Sequence, residues 1–139
     1  METTLKTQLI DQLIIDEGNK NKPYRDTVGK ITIGVGRNLS DVGLSDDEIK
    51  YLLTNDIERV ENDLNEHLSW WKNKPDNVKL VLLNMCFNLG IFEMLKFTDT
   101  LAFIQDEKYY LAAKEMLNSK WAKQVGNRAI RLSKMLSDE

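Results

Sequence analysis

"DEGNKNKPYRDTVGKITIGVGRN", residues 16–38, is the stretch that decides the fold, because the periodicity of the chain changes inside it. Upstream, Leu5, Leu9, Leu13 and Ile14 recur at helical spacing, and Thr3 or Thr4 is expected to cap the helix they form. Gly18, a residue that tolerates the left-handed conformation, is expected to end it. Over residues 23–36 the pattern turns to strand. Val28-Gly29 reads as a turn there, and Ile31, Ile33 and Val35 alternate.

Downstream the pattern is helical again. Ser45 with Glu48 reads as a capping box opening a long helix, whose stripe Ile49, Leu52, Leu53, Ile57, Val60 and Leu64 carries it to about His67. Pro75 suits the first turn of the next helix, which runs to Leu89 and stops at Gly90. That helix is apolar nearly all round and is expected at the centre of a helical lobe. Further helices are expected from Thr98, over Lys108–Ser119 and over Asn127–Leu136. The expectation is therefore an α+β chain, mostly α, forming one domain over residues 1–139. A small β-hairpin lobe over about 19–44 is inserted into a helical bundle made of 1–18 and 45–139, with a long helix joining the two lobes.

Composition narrows the function classes. The chain has 139 residues and a net charge of −3, unevenly spread. Residues 19–37 carry Lys20, Lys22, Arg25, Lys30 and Arg37 against Asp26 alone, whereas residues 46–66 are strongly acidic. The overall balance predicts no nucleic-acid partner, although the basic stretches could face an anionic polymer. Cys86 is the single cysteine, so no internal disulfide can form and a reducing compartment is expected. Within "LVLLNMCFNLG" it reads as a buried, inert thiol. His67, the only histidine, has no Cys or His at ligand spacing, so no metal and no cofactor is expected. Lys6 and Asp11 interrupt the apolar pattern of the first fifteen residues. Neither a signal-peptide core nor a membrane span is expected, and delivery outside the cytoplasm would need another agent.

Glu17 and Asp26 are the first candidates for chemistry. A carboxylate on the last turn of a helix sits beside the negative pole of the macrodipole, a poor structural placement but a reasonable one for a proton donor. Two solvated surface acids are the plainer reading of that spacing alone. Thr32 points away from Ile31 and Ile33, and Gly34 and Gly36 share its face, leaving it open to close approach by backbone or ligand. A kink or bulge explains the glycines equally well. Asn84 and Asn88 lie one turn apart on the apolar helix, where they either bond neighbouring loops or line a polar cleft. Trp70 and Trp71 read as packing anchors rather than sugar platforms. The carboxyl-terminal "KWAKQVGNRAIRLSK" reads as a cationic amphipathic helix unless Arg128 meets a carboxylate elsewhere.

Taken in order, "DEG", "RDT", "TIGVGRN", "NMCFNLG" and "KWAKQVGNRAIR" resemble the phage lysozymes of the T-even type, glycoside hydrolase family 24. The resemblance covers nearly the whole chain, and the combined E-x8-D-x5-T-x-G-x-G with a later N-R-A-x-R is more specific than any one piece. It implies a lysozyme-like two-lobed fold and a muramidase cleaving the β-1,4 bond between N-acetylmuramic acid and N-acetylglucosamine, with inversion. It further implies Glu17 as general acid, Asp26 as the carboxylate that orients or activates water, and Thr32 beside that water. Arg128 matches an arginine that pairs with the catalytic glutamate, and Asp16 with Arg131 matches a supporting ion pair. Asn84, Asn88, Gly34 and Asn127 fall on substrate-binding positions. Arg37 departs from the pattern: a family histidine tied to an aspartate stands there, so the local lock is expected to be rebuilt. The partner implied is the glycan strand of peptidoglycan, met by a monomer without nucleic acid or membrane insertion. The setting expected from the lack of a signal pattern and the lone cysteine is the host cytoplasm before lysis, with a holin releasing the enzyme to act in the periplasm; delivery by a tail or secretion device is the alternative.

Overall fold

The change of period at Gly18 is a real boundary. In the computed structural model, which describes residues 2–137, helix α1 spans Thr3–Glu17. Gly18 closes it at φ 81°, its N–H still donating to the Ile14 carbonyl. The expected threonine cap is not formed. Glu2 occupies the capping position without a side-chain bond, and Thr7 donates back to the Thr3 carbonyl inside the helix. No residue of α1 is buried, and its apolar positions Leu5, Leu9, Leu13 and Ile14 are each more than one third exposed.

Three antiparallel strands follow in the order β1-β2-β3: β1 (Lys20–Arg25), β2 (Ile31–Gly34) and β3 (Arg37–Asn38). Strand character therefore begins at Lys20, earlier than the alternation predicts, and Val35 falls in a turn rather than in β2. The hairpin expected from sequence gains a third, two-residue strand. Arg25 pairs with Ile31 and Tyr24 with Thr32 before the register shifts toward Lys20 and Gly34. Pro23 lies inside that irregular stretch on an edge strand, where its missing N–H removes least from the ladder.

The capping box at Ser45 is present as read. Ser45 N–H donates to Glu48 Oε1 at 2.8 Å, and Glu48 N–H donates to Ser45 Oγ at 3.2 Å. It opens α2 (Asp46–His67) with three acidic residues in the first turn, where the positive pole of the helix favours them. The chain divides into two compact units within this helix, one ending at Tyr51 and the other beginning at Leu52.

The second unit is all helical: a 3-10 turn at Ser69–Asn73, then α3 (Asp76–Leu89), α4 (Ile91–Met94), α5 (Thr98–Gln105), α6 (Tyr109–Leu117), α7 (Lys120–Val125) and α8 (Asn127–Ser137). Gly90 ends α3 at φ 79°, as the sequence predicts, whereas Pro75 stands at the capping position one residue before the first turn in which it was expected. The 3-10 turn and α4 are too short to leave a periodic signature and were not expected, and the cationic helix read over residues 120–134 is broken at Gly126 into α7 and α8. Val78, Val81, Leu82, Met85 and Cys86 of α3 are buried with Leu64, Met94, Ile104, Met116 and Leu136. Helix α3 is not buried all round, however. Leu80 and Phe87 on its far side stay exposed. Trp71 is an anchor in this core, its indole N–H donating to Asn65 Oδ1 at 2.8 Å.

Candidate active site

The first unit holds Asp16, Glu17, Asp26, Thr32 and Gly34. Glu17 is the last residue of α1, and its side chain lies against the α-carbon of Gly36. A β-carbon built on Gly36 would sit 2.9 Å from Glu17 Oε2 and 3.2 Å from its Cδ and Cγ. Gly36 also takes φ +69°, which glycine adopts without steric cost. The bare glycine face read from sequence is thus occupied, at Gly36, by the candidate acid itself. At Gly34 nothing lies within 4 Å of a built β-carbon.

Asp26 leads the turn between β1 and β2. Its Oδ1 accepts from Val28 N–H at 3.0 Å and from Lys30 N–H at 2.8 Å. Both contacts are local, so the aspartate folds its own turn as such residues commonly do. They load one carboxylate oxygen and leave Oδ2 able to accept from a water. Thr32 is 4% exposed, so its side of β2 is covered rather than bare, while Ile31 on the other side is 40% exposed. The Thr32 hydroxyl donates to the Lys30 carbonyl at 3.0 Å, which fixes its rotor and turns its lone pairs away from that bond. Across the sheet Thr32 is flanked by Tyr24 on β1 and Asn38 on β3.

The lock expected around Arg37 is rebuilt on a different partner. Arg37 Nη1 donates to Glu48 Oε1 at 2.7 Å and to the Gly43 carbonyl at 3.2 Å. Glu48 Oε1 also accepts from Ser45 N–H. The hydrogen bond from Arg37, then that from the Ser45 backbone, holds the Glu48 carboxyl down at about 2. The capping box was legible in the sequence; its glutamate's second partner was not.

The second unit holds the remaining candidates. Asn84 Oδ1 accepts from Arg128 Nε at 2.9 Å, and Arg128 Nη2 reaches the Asn84 carbonyl at 3.5 Å. Asn88 Oδ1 accepts from the Trp121 indole N–H at 2.7 Å. Both amides therefore bond neighbouring helices, Asn84 also lines a cavity, and Trp121 is the partner that sequence reasoning missed. Asn127 and Arg131 are exposed on α8. Two cavities are lined wholly by this unit. One of about 470 Å³ has a mixed wall, with Thr100 and Glu115 beside Phe97 and Trp121. The other, about 410 Å³, is apolar, with Leu53, Leu80, Phe87 and Arg128. Glu17, Asp26 and Thr32 line neither.

Residues 15–135 match the phage lysozyme family. Two relatives from Dictyostelium discoideum are similar over most of their length. Probable T4-type lysozyme 1 is 31% identical, covering 88% of this chain and 89% of its own. Probable T4-type lysozyme 2 is 30% identical, covering 91% of each. The family match spans Glu17, Asp26 and Thr32 together with Arg128 and Arg131, and the helical architecture with its small antiparallel sheet agrees with it. The chain belongs to the phage lysozyme family.

Proposed function

We propose that this protein is a muramidase that hydrolyses the β-1,4 bond between N-acetylmuramic acid and N-acetylglucosamine in peptidoglycan, with inversion at the anomeric carbon. The observation that carries the reading is the seating of the Glu17 carboxylate on Gly36, in the same small unit as an Asp26 carboxylate with one oxygen uncommitted. Glu17, protonated, gives its proton to the glycosidic oxygen as the bond from that oxygen to the anomeric carbon breaks. Asp26 Oδ2, with Thr32 beside it, holds a water whose oxygen attacks that carbon from the opposite face. The proton lost by the water passes to Asp26. Inversion needs room for that water, with the two carboxyl groups roughly 6.5–9.5 Å apart.

Release of reducing ends from purified murein by the wild type and by Glu17→Gln tests the assignment. A positioned proton donor contributes about 10²–10⁴ in rate, so the variant should be nearly silent. Full turnover by Glu17→Gln would remove Glu17 from the reaction. A first product carrying the β anomer at its new reducing end would rule out inversion. The setting proposed is lysis of a bacterial host, with a holin passing the enzyme from cytoplasm to periplasm. Co-expression tests this: lysis that proceeds equally without a membrane-permeabilising partner would refute it.

A further inference from the structure

We propose that the Arg37–Glu48 ion pair is a positioning device for the catalytic carboxylate, holding the Gly36 backbone that seats Glu17. This rests on the reading of Glu17 as the proton donor.

Strand β3 is only two residues long, and its pairings, Ile33 with Arg37 and Thr32 with Asn38, are a small anchorage. Gly36 precedes it in a turn, and two of the nearby positions, Gly34 and Gly36, have positive φ. A glycine-rich turn of this kind is conformationally loose unless something fixes its exit. The fixing comes from the residue immediately after Gly36. One nitrogen of Arg37 donates to both the Gly43 carbonyl and Glu48 Oε1. The same Glu48 oxygen receives Ser45 N–H at the start of α2. Backbone from Arg37 to Ser45 is thus closed into a ring through one carboxylate oxygen, with a helix terminus as its rigid side. Asn38 lies in that ring as well, directly opposite Thr32.

The consequence follows from distance. The Glu17 carboxylate occupies the space a β-carbon on Gly36 would need, so a shift of the Gly36 backbone changes the floor on which that carboxylate sits. A proton donor displaced by about 1 Å can lose roughly 100-fold in rate, whereas binding contacts elsewhere are untouched. The helical ion pairs, such as Arg59 with Asp56 at 2.6 Å, join residues three apart; Lys30 with Asp41 at 3.2 Å also spans eleven residues, but neither partner adjoins Gly36. The Arg37–Glu48 pair differs from them in what its backbone carries.

The test measures kcat and KM on purified peptidoglycan for Arg37→Ala, Arg37→Lys and Glu48→Gln, with Arg59→Ala as the control ion-pair deletion. The Gly36 amide resonance is followed in parallel through a pH titration of each protein. In the wild type that resonance should move with the Glu17 carboxyl. Arg37→Ala should lower kcat by roughly tenfold or more with KM unchanged, and Gly36 should no longer follow Glu17. Arg37→Lys, which keeps a charge and one bond, should recover part of both signals; Arg59→Ala should change neither. If Arg37→Ala does not fold, Arg37→Lys and Glu48→Gln carry the comparison. Wild-type kcat with Gly36 still following Glu17 in these variants would overturn the proposal, as would a change confined to KM. An inactive wild type would instead refute the muramidase reading, and the resonance would still decide whether the ion pair seats Glu17.

Discussion

Glu17 rests on Gly36: the carboxylate of one lies where a side chain of the other would be, 2.9 Å from Oε2 to a built β-carbon. A β-carbon at that distance from a carboxylate oxygen forces one of them to move. Gly36→Ala should therefore cost more than about 1 kcal/mol through its positive φ and also displace the acid. Gly90→Ala, at φ +79° with nothing within 4 Å, carries the backbone strain without the collision. Both variants should lose stability in denaturant titrations, and only Gly36→Ala should lose turnover. Equal turnover in the two would separate Gly36 from the chemistry.

A substitution can divide the turn bonds of Asp26 from the water-holding role proposed for it. Asparagine keeps an acceptor for the Val28 and Lys30 amides but carries no charge. Asp26→Asn should hold its melting temperature and lose activity on murein. Asp26→Ala should lose activity and about 1–3 kcal/mol of stability, because the turn amides lose their partner. If Asp26→Asn kept wild-type turnover, the residue would be a turn former only.

Acid should expose the Glu48 lock. A carboxyl held down at about 2, against an ordinary value of 4.5, contributes fully above the ordinary value and ceases to contribute as pH falls through about 2. Between pH 4.5 and 2 the wild type should lose melting temperature more steeply than Glu48→Gln. Parallel profiles for the two proteins would show that the pair adds nothing to the folded state.

The helical unit supplies predictions independent of catalysis. Leu82 is fully buried, and Leu82→Ala should cost about 2–5 kcal/mol, read from denaturant midpoints. Cys86 is 1% exposed, and burial, with a smaller effect from the Asp63 charge, raises its thiol to about 11. A thiol reagent at neutral pH should label it only as fast as the protein opens. Rapid labelling of the native protein would contradict that burial.

Much of this molecule was legible from residues a few positions apart. The end of α1 at Gly18, the Ser45–Glu48 capping box, the start of α3 after Pro75 and its stop at Gly90 all follow from rules acting within a single turn. The turn at Asp26 is equally local, since its bonds reach residues two and four positions ahead. Short elements escaped the same reading. Strand β3, the 3-10 turn and α4 contain too few residues for a period to register. The threonine cap failed because Thr3 is already helical and Glu2 takes the capping position.

Sequence by itself determined where the longer helices begin and end, because backbone geometry repeats every 3.6 residues along them and special residues interrupt it nearby. It also brought Glu17, Asp26 and Thr32 forward as a set through their resemblance to a family. Tertiary structure alone decided the contacts that reach across the chain. That Gly36 is the seat of Glu17, that Arg37 turns to Glu48 eleven residues on, and that Asn88 meets Trp121 thirty-three residues on depend on how the chain doubles back. Such meetings are set by register shifts, turn geometry and packing summed over many residues, and no local period encodes them.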